Sequence, residues 1–507
     1  MSATRTLPPA ARRAAAASGK TAAGRPDRRP LWMLAGVAVA YLGVQLLLVP
    51  LGMAFAWDES MYVSQYAPGV PPSVLTAPRS IGMGLLVAPV TLLTASVTAI
   101  RLYLAVLSAL CLLLAFLPWL ALRGGRVVPL AAALYGGLWL TVFYGGQAMP
   151  NVYTSGCTVA AVALFPLAAT ADRRLRRITA LAGLVAAFAV MSLLRPMDAP
   201  WTALPLFAAA LLYRPWRRAA PLAAVAAGSA VGWGHWLYDA YARFGGPARR
   251  LELIDQVNGG GLHFLLLRHV ESFGSTALVC RDGEPDCGGY TVAAVALACA
   301  LPPLVLLGLW ASRRAGTAPV MVLATGTAVV VAVPYLFLTG HANPRYLLPS
   351  EALLALPVAA GLWWLAGRGH RPGRVAIVGA LVFAHLAGQA AVAAVFADRA
   401  ERQRRPIAEA GAKLRALGVG SPCFVYGYEA PELGYLARCS AWGVYPGVLP
   451  EGGAAKAVEK RLAREMKAGR KVVVVAMEER PGDFPRGWRR VRLLPDRPLY
   501  AHLPPGQ

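Results

Sequence analysis

The chain has 507 residues, of which 57% are hydrophobic and only 15% charged. A soluble protein of this length needs far more charge to cover its surface, and the apolar residues here come in long unbroken blocks suited to lipid contact. The net charge of +25 does not point to nucleic acid, because most Lys and Arg sit in short clusters between apolar blocks with few aromatics among them.

The first thirty residues, rich in Ala, Arg, Pro and Gly, read as a disordered basic tail on the cytoplasmic side. No small-residue cleavage site follows Leu31–Val49, so that block is expected to be a retained span. Blocks long enough to cross a bilayer fall near 31–54, 100–122, 127–148, 152–170, 178–195, 198–213, 219–237, 291–311, 317–339, 346–366 and 375–396, which predicts about eleven spans. The basic clusters choose the sides. Arg123–Arg126, Arg173–Arg177, Arg214–Arg218, Arg313–Arg314 and Arg368–Arg374 each follow an even-numbered span. All therefore fall inside with the N-terminus, and the C-terminus falls outside. Counting Ile81–Val97 as a further span would invert every later loop, so it is expected at the outer interface as a short amphipathic or re-entrant segment. The Ala/Arg/Gly/Pro-heavy composition fits a high-GC bacterium, and the expected location is the bacterial cytoplasmic membrane.

Three outer segments result: 55–80, 238–290, and the tail from about Asp398. Of the seven cysteines, Cys111, Cys157 and Cys299 lie in spans as small packing residues. Cys280 with Cys287, and Cys423 with Cys439, fall in segments placed outside, where disulfides persist, and two disulfides are favoured over free thiols. After Phe396 the composition turns soluble. Expected there are helices over Arg399–Leu417, Glu429–Arg438 and Ala454–Ala468, and strands over Cys423–Tyr428, Lys471–Met477, Trp488–Leu493 and Leu499–Leu503. The fold expected overall is an α-helical polytopic membrane bundle over 31–396 with a small extracytoplasmic α/β domain over 397–507. No glycine-rich phosphate loop follows a strand, which argues against a nucleotide.

Two constellations carry chemistry. Phe55-Ala56-Trp57-Asp58-Glu59-Ser60 sets adjacent carboxylates at the membrane surface, with Ala77-Pro78-Arg79-Ser80 some twenty residues on. Thr339-Gly340-His341-Ala342-Asn343-Pro344-Arg345-Tyr346-Leu347-Leu348-Pro349 puts an Arg at the mouth of an apolar bundle, where it can hold a phosphate through paired charge-assisted hydrogen bonds. The plainer explanation of both is a solvated acidic turn and arginines reaching lipid headgroups. Arg195 and Asp198 flank Pro196 at an outer boundary; they pair with one another, or Arg195 lines a cavity.

The Asp-Glu after the first span, the Pro-Arg element before an interfacial segment and the later Pro-Arg-Tyr-Leu-Leu-Pro together resemble the GT-C superfamily of membrane glycosyltransferases. The pattern is that of its protein O-mannosyltransferase-like and aminoarabinose-transferase-like bacterial members, and it covers about residues 31 to 396. The resemblance implies sugar transfer from a polyprenyl-phosphate-linked donor to a glycan, lipid or protein acceptor on the outer face, with inversion. It implies Asp58 as the catalytic carboxylate with Glu59 in support, and Arg79 and Arg345 on the donor phosphate. His341, Asn343, Tyr346 and Arg195 would line the cavity. Here the order is Pro-Arg-Ser where the family often has Lys-Pro-Pro. A divalent metal ion could assist at Asp58 and Glu59, although no ligand set is evident. The competing function is a multi-pass transporter or lipid flippase; such proteins often show internal repeats, and no matching halves are visible here. A scaffold whose exported domain binds a partner leaves the Asp-Glu and Arg pattern unexplained.

Overall fold

A computed structural model describes residues 27–122, 125–274, 280–281, 291–367, 372–444, 453–477 and 487–506. Most of the expected basic tail, and Cys287 of the expected Cys280–Cys287 pair, lie outside the described residues. The helices of the membrane region are α1 (Arg29–Leu48), α2 (Trp57–Val63), α3 (Gly82–Thr91), α4 (Val97–Leu120), α5 (Val127–Gly136), α6 (Trp139–Gly145), α7 (Asn151–Thr170) and α8 (Arg174–Leu194). They continue with α9 (Asp198–Leu212), α10 (Ala219–Asp239), α11 (Pro247–Asn258), α12 (Leu266–Gly274), α13 (Val292–Ala315), α14 (Ala318–Phe337), α15 (Leu348–Gly367) and α16 (Pro372–Ala416).

Among the described residues, eight helices are long and apolar enough to cross a bilayer, and a bent pair makes a ninth if counted as one span. By length and composition two of the eleven expected spans, over 198–213 and 219–237, fall short, and a third is bent. The block over 127–148 is not straight: α5 and α6 meet at 72°, where Gly136 and Gly137 let the helix break. The freed amide of Trp139 is then taken by the Gln389 side chain of α16, at 2.9 Å. Helix α9 has only 15 residues, and α10 is interrupted by Gly, Ser and His among its apolar residues. Helix α3, the segment expected at the interface, has ten residues, about half of what a crossing needs. Small residues let neighbouring helices approach closely. A Cβ at Gly308 of α13 would stand 1.7 Å from the Pro357 carbonyl of α15, and one at Gly232 of α10 would stand 2.4 Å from Ser192 Oγ of α8.

The largest correction lies at the end of the bundle. A span over 375–396 and a separate helix over 399–417 are in fact one helix, α16, of 45 residues. Its sequence offers no breaker near 397, and Pro406 is accommodated within it. The C-terminal α/β domain, expected outside, adds α17 (Ala430–Ala437) and α18 (Gly453–Lys467). The first two strands of the chain, β1 (Cys280–Arg281) and β2 (His341–Ala342), form an antiparallel ribbon between outer segments. The outer domain's sheet contains β3 (Cys423–Gly427), β4 (Ser440–Gly443), β5 (Lys471–Ala476), β6 (Arg489–Arg492) and β7 (Tyr500–Leu503). Its order is β4-β3-β5-β7-β6, with β3 parallel to β4 and β5, and β7 antiparallel to β5 and β6. Strand β4 was not expected, because Ser-Ala-Trp-Gly is short and weakly apolar. The Cys423–Cys439 disulfide is formed, with Cα atoms 4.8 Å apart.

This domain is seated on the loop over 55–80. The Tyr435 ring meets Phe55 edge-on at 5.2 Å and its hydroxyl donates to the Ala95 carbonyl at 2.7 Å. The exposed edge of β4 is covered by the loop, Val74 N donating to Ala441 O at 2.8 Å and Ser440 Oγ to Pro72 O at 3.1 Å. An edge that would otherwise invite pairing is thus used for docking.

Candidate functional site

Asp58 and Glu59 occupy the first turn of α2, where carboxylates face unpaired backbone N–H groups. Consecutive helical residues point about 100° apart, so the two side chains enter different surroundings. Asp58 enters a cleft. Its Oδ1 accepts from Arg79 Nε at 3.0 Å and Arg79 Nη2 at 2.5 Å, and its Oδ2 lies 3.6 Å from Arg345 Nη2. One fifth of the Asp58 side chain stays accessible, with 12% of Arg79 and 15% of Arg345. Burial pushes the Asp58 carboxyl up, but the Arg79 and Arg345 guanidiniums outweigh it and hold it below the usual carboxylate range. The site therefore joins Asp58 to residues 21 and 287 positions further along the chain, as the sequence motifs implied.

Each arginine is aimed by its own supports. Arg79 donates to Thr76 Oγ1 at 2.7 Å and lies 4.8 Å over the Trp57 ring. Its loop is clamped from the segment over 238–290: Arg250, itself buried, donates to the Ala77 and Arg79 carbonyls at 3.1 Å each, and Arg243 donates to the Leu75 carbonyl. Asp239 holds both clamps, at 3.0 Å from Arg250 and 3.1 Å from Arg243. Arg345 stands in a short 3-10 helix, Pro344–Leu347, capped by the Asn343 side chain at 3.3 Å. Its Nη1 meets Tyr144 Oη at 3.4 Å, and its buried Nε has no hydrogen-bond partner among the described residues.

The other expected residues surround this pair. Tyr346 is shared, its ring 5.8 Å from the Arg345 guanidinium and 4.8 Å from that of Arg195. Arg195 also covers Tyr335 at 5.0 Å and pairs with Asp198 at 3.5 Å, while the Tyr335 hydroxyl donates to Asp198. His341 bridges Asn258 O and Tyr346 Oη, both at 3.3 Å. Asn343 is fully buried, and its carbonyl oxygen is used for the cap that orients Arg345.

Glu59 departs most from expectation. It is fully buried, and five donor contacts converge on it: Ala56 N at 2.9 Å, Ala148 N at 2.8 Å, Arg101 Nη1 and Nη2 at 3.2 Å each, and Arg404 Nη1 at 3.1 Å. Burial raises its carboxyl, and Arg101, Arg404 and the two amides bring it back below its ordinary value. With Glu59 committed to these donors and Asp58 flanked by cations, the pair does not fit a divalent ion. No group of three or more metal-ligating side chains occurs among the described residues.

Arg101, Arg404, Tyr144, Tyr335, Asp239 and Arg250 were not anticipated. Arg101 had a signal, a lone charge inside the apolar run Val97–Leu107, which marks a functional or paired position. Arg404 had none, since Arg399–Arg405 reads as a solvated charge run.

A helical bundle with a short apolar helix after the loop over 55–80, and an α/β domain seated over that loop, is an arrangement similar to that of solved membrane-enzyme structures of low sequence identity. The ArnT of Cupriavidus metallidurans, solved with bound undecaprenyl phosphate, aligns with a TM-score of 0.62 over 92% of this chain and 97% of that one, at 15% identity. Its apo state aligns with a TM-score of 0.59 over 93% and 97%, at 16% identity. The apo oligosaccharyltransferase of Archaeoglobus fulgidus gives 0.51 over 89% of this chain and 70% of that one, at 14% identity. No protein-family profile matches the sequence, and no curated protein matches it.

Proposed function

We propose that this protein is a membrane glycosyltransferase that moves a hexose or pentose from a polyprenyl-phosphate-linked donor to an acceptor hydroxyl at the outer face of the bacterial cytoplasmic membrane. The observation that carries this reading is Asp58 held between Arg79 and Arg345 in a partly open cleft beneath the outer domain. Without donor, the carboxylate is the counterion of both arginines. A sugar phosphodiester brings a stronger bidentate partner for guanidinium groups, so it takes over that role. Asp58 is then released, still ionised and a better base. It orients the acceptor hydroxyl and takes its proton as the new bond forms at the anomeric carbon. The bond from that carbon to the phosphate oxygen breaks, and the arginines stabilise the departing polyprenyl phosphate. One carboxylate with a phosphate leaving group supports direct displacement, with inversion. The undecaprenyl phosphate in the ArnT structure supports a lipid-phosphate donor.

The orientation follows the same line. The ends of α8, α10 and α14 that carry or adjoin Arg195, Asp239 and Tyr335 lie toward the cleft, whereas Arg174–Arg177, Arg214–Arg218 and Arg313–Arg314 stand at the opposite ends of their helices. Basic loops kept inside then place the cleft and the C-terminal domain outside. The functional division is a catalytic membrane region over 31–396 and an outer domain over 397–507 that roofs it, although α16 runs through the boundary. No observation among the described residues favours transport or lipid flipping.

The test is transfer of radiolabelled sugar from polyprenyl-phosphate hexoses and pentoses in membranes, comparing wild type with Asp58→Ala at matched expression. Loss of transfer in the folded variant is the expected result. Equal transfer in both removes Asp58 as the catalyst, and no transfer by wild type across the donors overturns the reading.

A further inference from the structure

Glu59 lies beside the reactive carboxylate yet has no access to a substrate, and the groups around it come from four parts of the chain. Arg101 also donates to Met53 O at 2.7 Å, Ala54 O at 3.0 Å and Gly146 O at 3.1 Å. Arg404 also donates to Ala54 O and to Gln147 Oε1, both at 3.0 Å. The node therefore fixes two backbone segments. Residues 53–59 set the start of the helix bearing Asp58. Residues 146–148 follow α6, whose Tyr144 supports Arg345. Both sides of the cleft are referenced to one buried carboxylate.

The two cations differ in origin. Arg101 stands near the start of α4, 1% exposed, and belongs to the bundle. Arg404 comes from the outer stretch of α16, on the helix that enters the outer domain, and keeps 16% of its side chain accessible. Ile407, Ala410 and Leu414 of the same helix are packed in the core of that domain. Arg404 is therefore the charged connection between the outer domain and the floor of the cleft. Two cations facing one carboxylate repel each other as well, so the node holds only while Glu59 is ionised and all its donors are in place.

We infer that Arg404 and Glu59 are positioning residues: Arg404, carried by the helix of the outer domain, closes onto Glu59 and thereby sets the geometry of Asp58 against Arg345. The outer domain acts on catalysis through this contact. The inference rests on the proposed transfer reaction for its kinetic readout, and on local backbone order for a readout that does not need it.

The experiment uses the full chain in lipid nanodiscs, as wild type, Arg404→Met and Arg404→Lys. Transfer is measured over a range of polyprenyl-phosphate sugar concentrations, with and without added guanidinium ion. Hydrogen exchange is followed by mass spectrometry on the same samples. In Arg404→Met, kcat is expected to fall about a hundredfold while KM for the donor stays within about twofold, as for a misplaced reacting group. Guanidinium restores part of that rate by refilling the vacated position, and Arg404→Lys falls between. Exchange rises at 54–64 and 144–148 and is unchanged in the bundle and in the β3–β7 sheet. Wild-type kcat in Arg404→Met, a loss confined to KM, or no rescue by guanidinium in a variant with native exchange elsewhere overturns the inference. If wild type transfers no sugar from any donor, the functional reading fails, and the exchange pattern alone decides the positioning role: unchanged exchange at 54–64 in Arg404→Met overturns it.

Discussion

Asp58 and Glu59 are neighbours on one helical turn, yet they sit in opposite kinds of place. Glu59 is fully buried among two amides and two guanidiniums, while Asp58 has a guanidinium at each carboxylate oxygen and keeps one fifth of its side chain accessible. Both carboxyls are held below their ordinary values, for the same reason of nearby arginines outweighing burial. Depressed acidity therefore does not separate a reactive carboxylate from a structural one. Residual access and exchangeable partners do, because only Asp58 can trade its counterions for a substrate phosphate.

The comparison can be broken most severely at Glu59. Replacing it with Ala leaves Arg101 and Arg404 buried and facing each other, and removing one partner of a buried ion pair costs about 3–5 kcal/mol. Thermal unfolding in detergent is expected to show a large drop, or no folded protein at all. Asp58→Ala also leaves two arginines without their carboxylate but beside an accessible cleft, so it should lower the unfolding temperature less than Glu59→Ala, and lower transfer about a thousandfold, within the usual range for losing a general base. If Asp58→Ala unfolds and Glu59→Ala merely slows transfer, the assignment of roles is reversed. Arg345→Lys keeps the charge and loses the fork that addresses carboxylate and phosphate together. The donor KM is expected to rise about tenfold, one lost charge-assisted hydrogen bond, measured by initial rates at varied donor.

The smallest effect is on pH. With Asp58 held below its ordinary value, its charge persists until pH falls through that depressed value, so the acid limb of kcat/KM lies below the ordinary carboxylate pKa of about 4. Arg79→Met removes the larger opposing charge and leaves burial in control, which moves the acid limb to higher pH. An acid limb that stays in place in Arg79→Met would show that another group titrates there.

Much of this was legible beforehand because membranes impose simple rules. The length of apolar blocks marked off the segments between the helices of the bundle, and the Asp-Glu and Pro-Arg motifs in those segments met in one cleft. The role of Glu59 was hidden because adjacency in sequence suggests partnership, whereas helical rotation separates the side chains. Arg404 was hidden by its setting, since one arginine among several in Arg399–Arg405 shows no sign of facing inward until α16 is known to be continuous. The clamp of Arg250 and Asp239 on the Arg79 loop was equally unreadable, as its contacts go to backbone carbonyls, which any sequence provides. The α/β domain was legible where strands are β-branched, as in Lys471–Ala476, and not at Ser440–Gly443, whose pairing comes from its neighbours.

The unbroken helix α16 has a consequence for how the protein is made. Arg404 lies 345 residues after Glu59, so the loop that bears Glu59 is made well before its last donor arrives. At a synthesis rate of roughly 5–20 residues per second, that interval is on the order of tens of seconds, during which Glu59 has only Arg101 for charge. A chain stopped between Arg345 and Arg404 carries Asp58, Arg79 and Arg345 but lacks the final donor to Glu59. If the proposed transfer reaction and the positioning role of Arg404 hold, full competence would be acquired only once Arg404 has been made, and a chain lacking it would act far more slowly on a lipid-linked sugar.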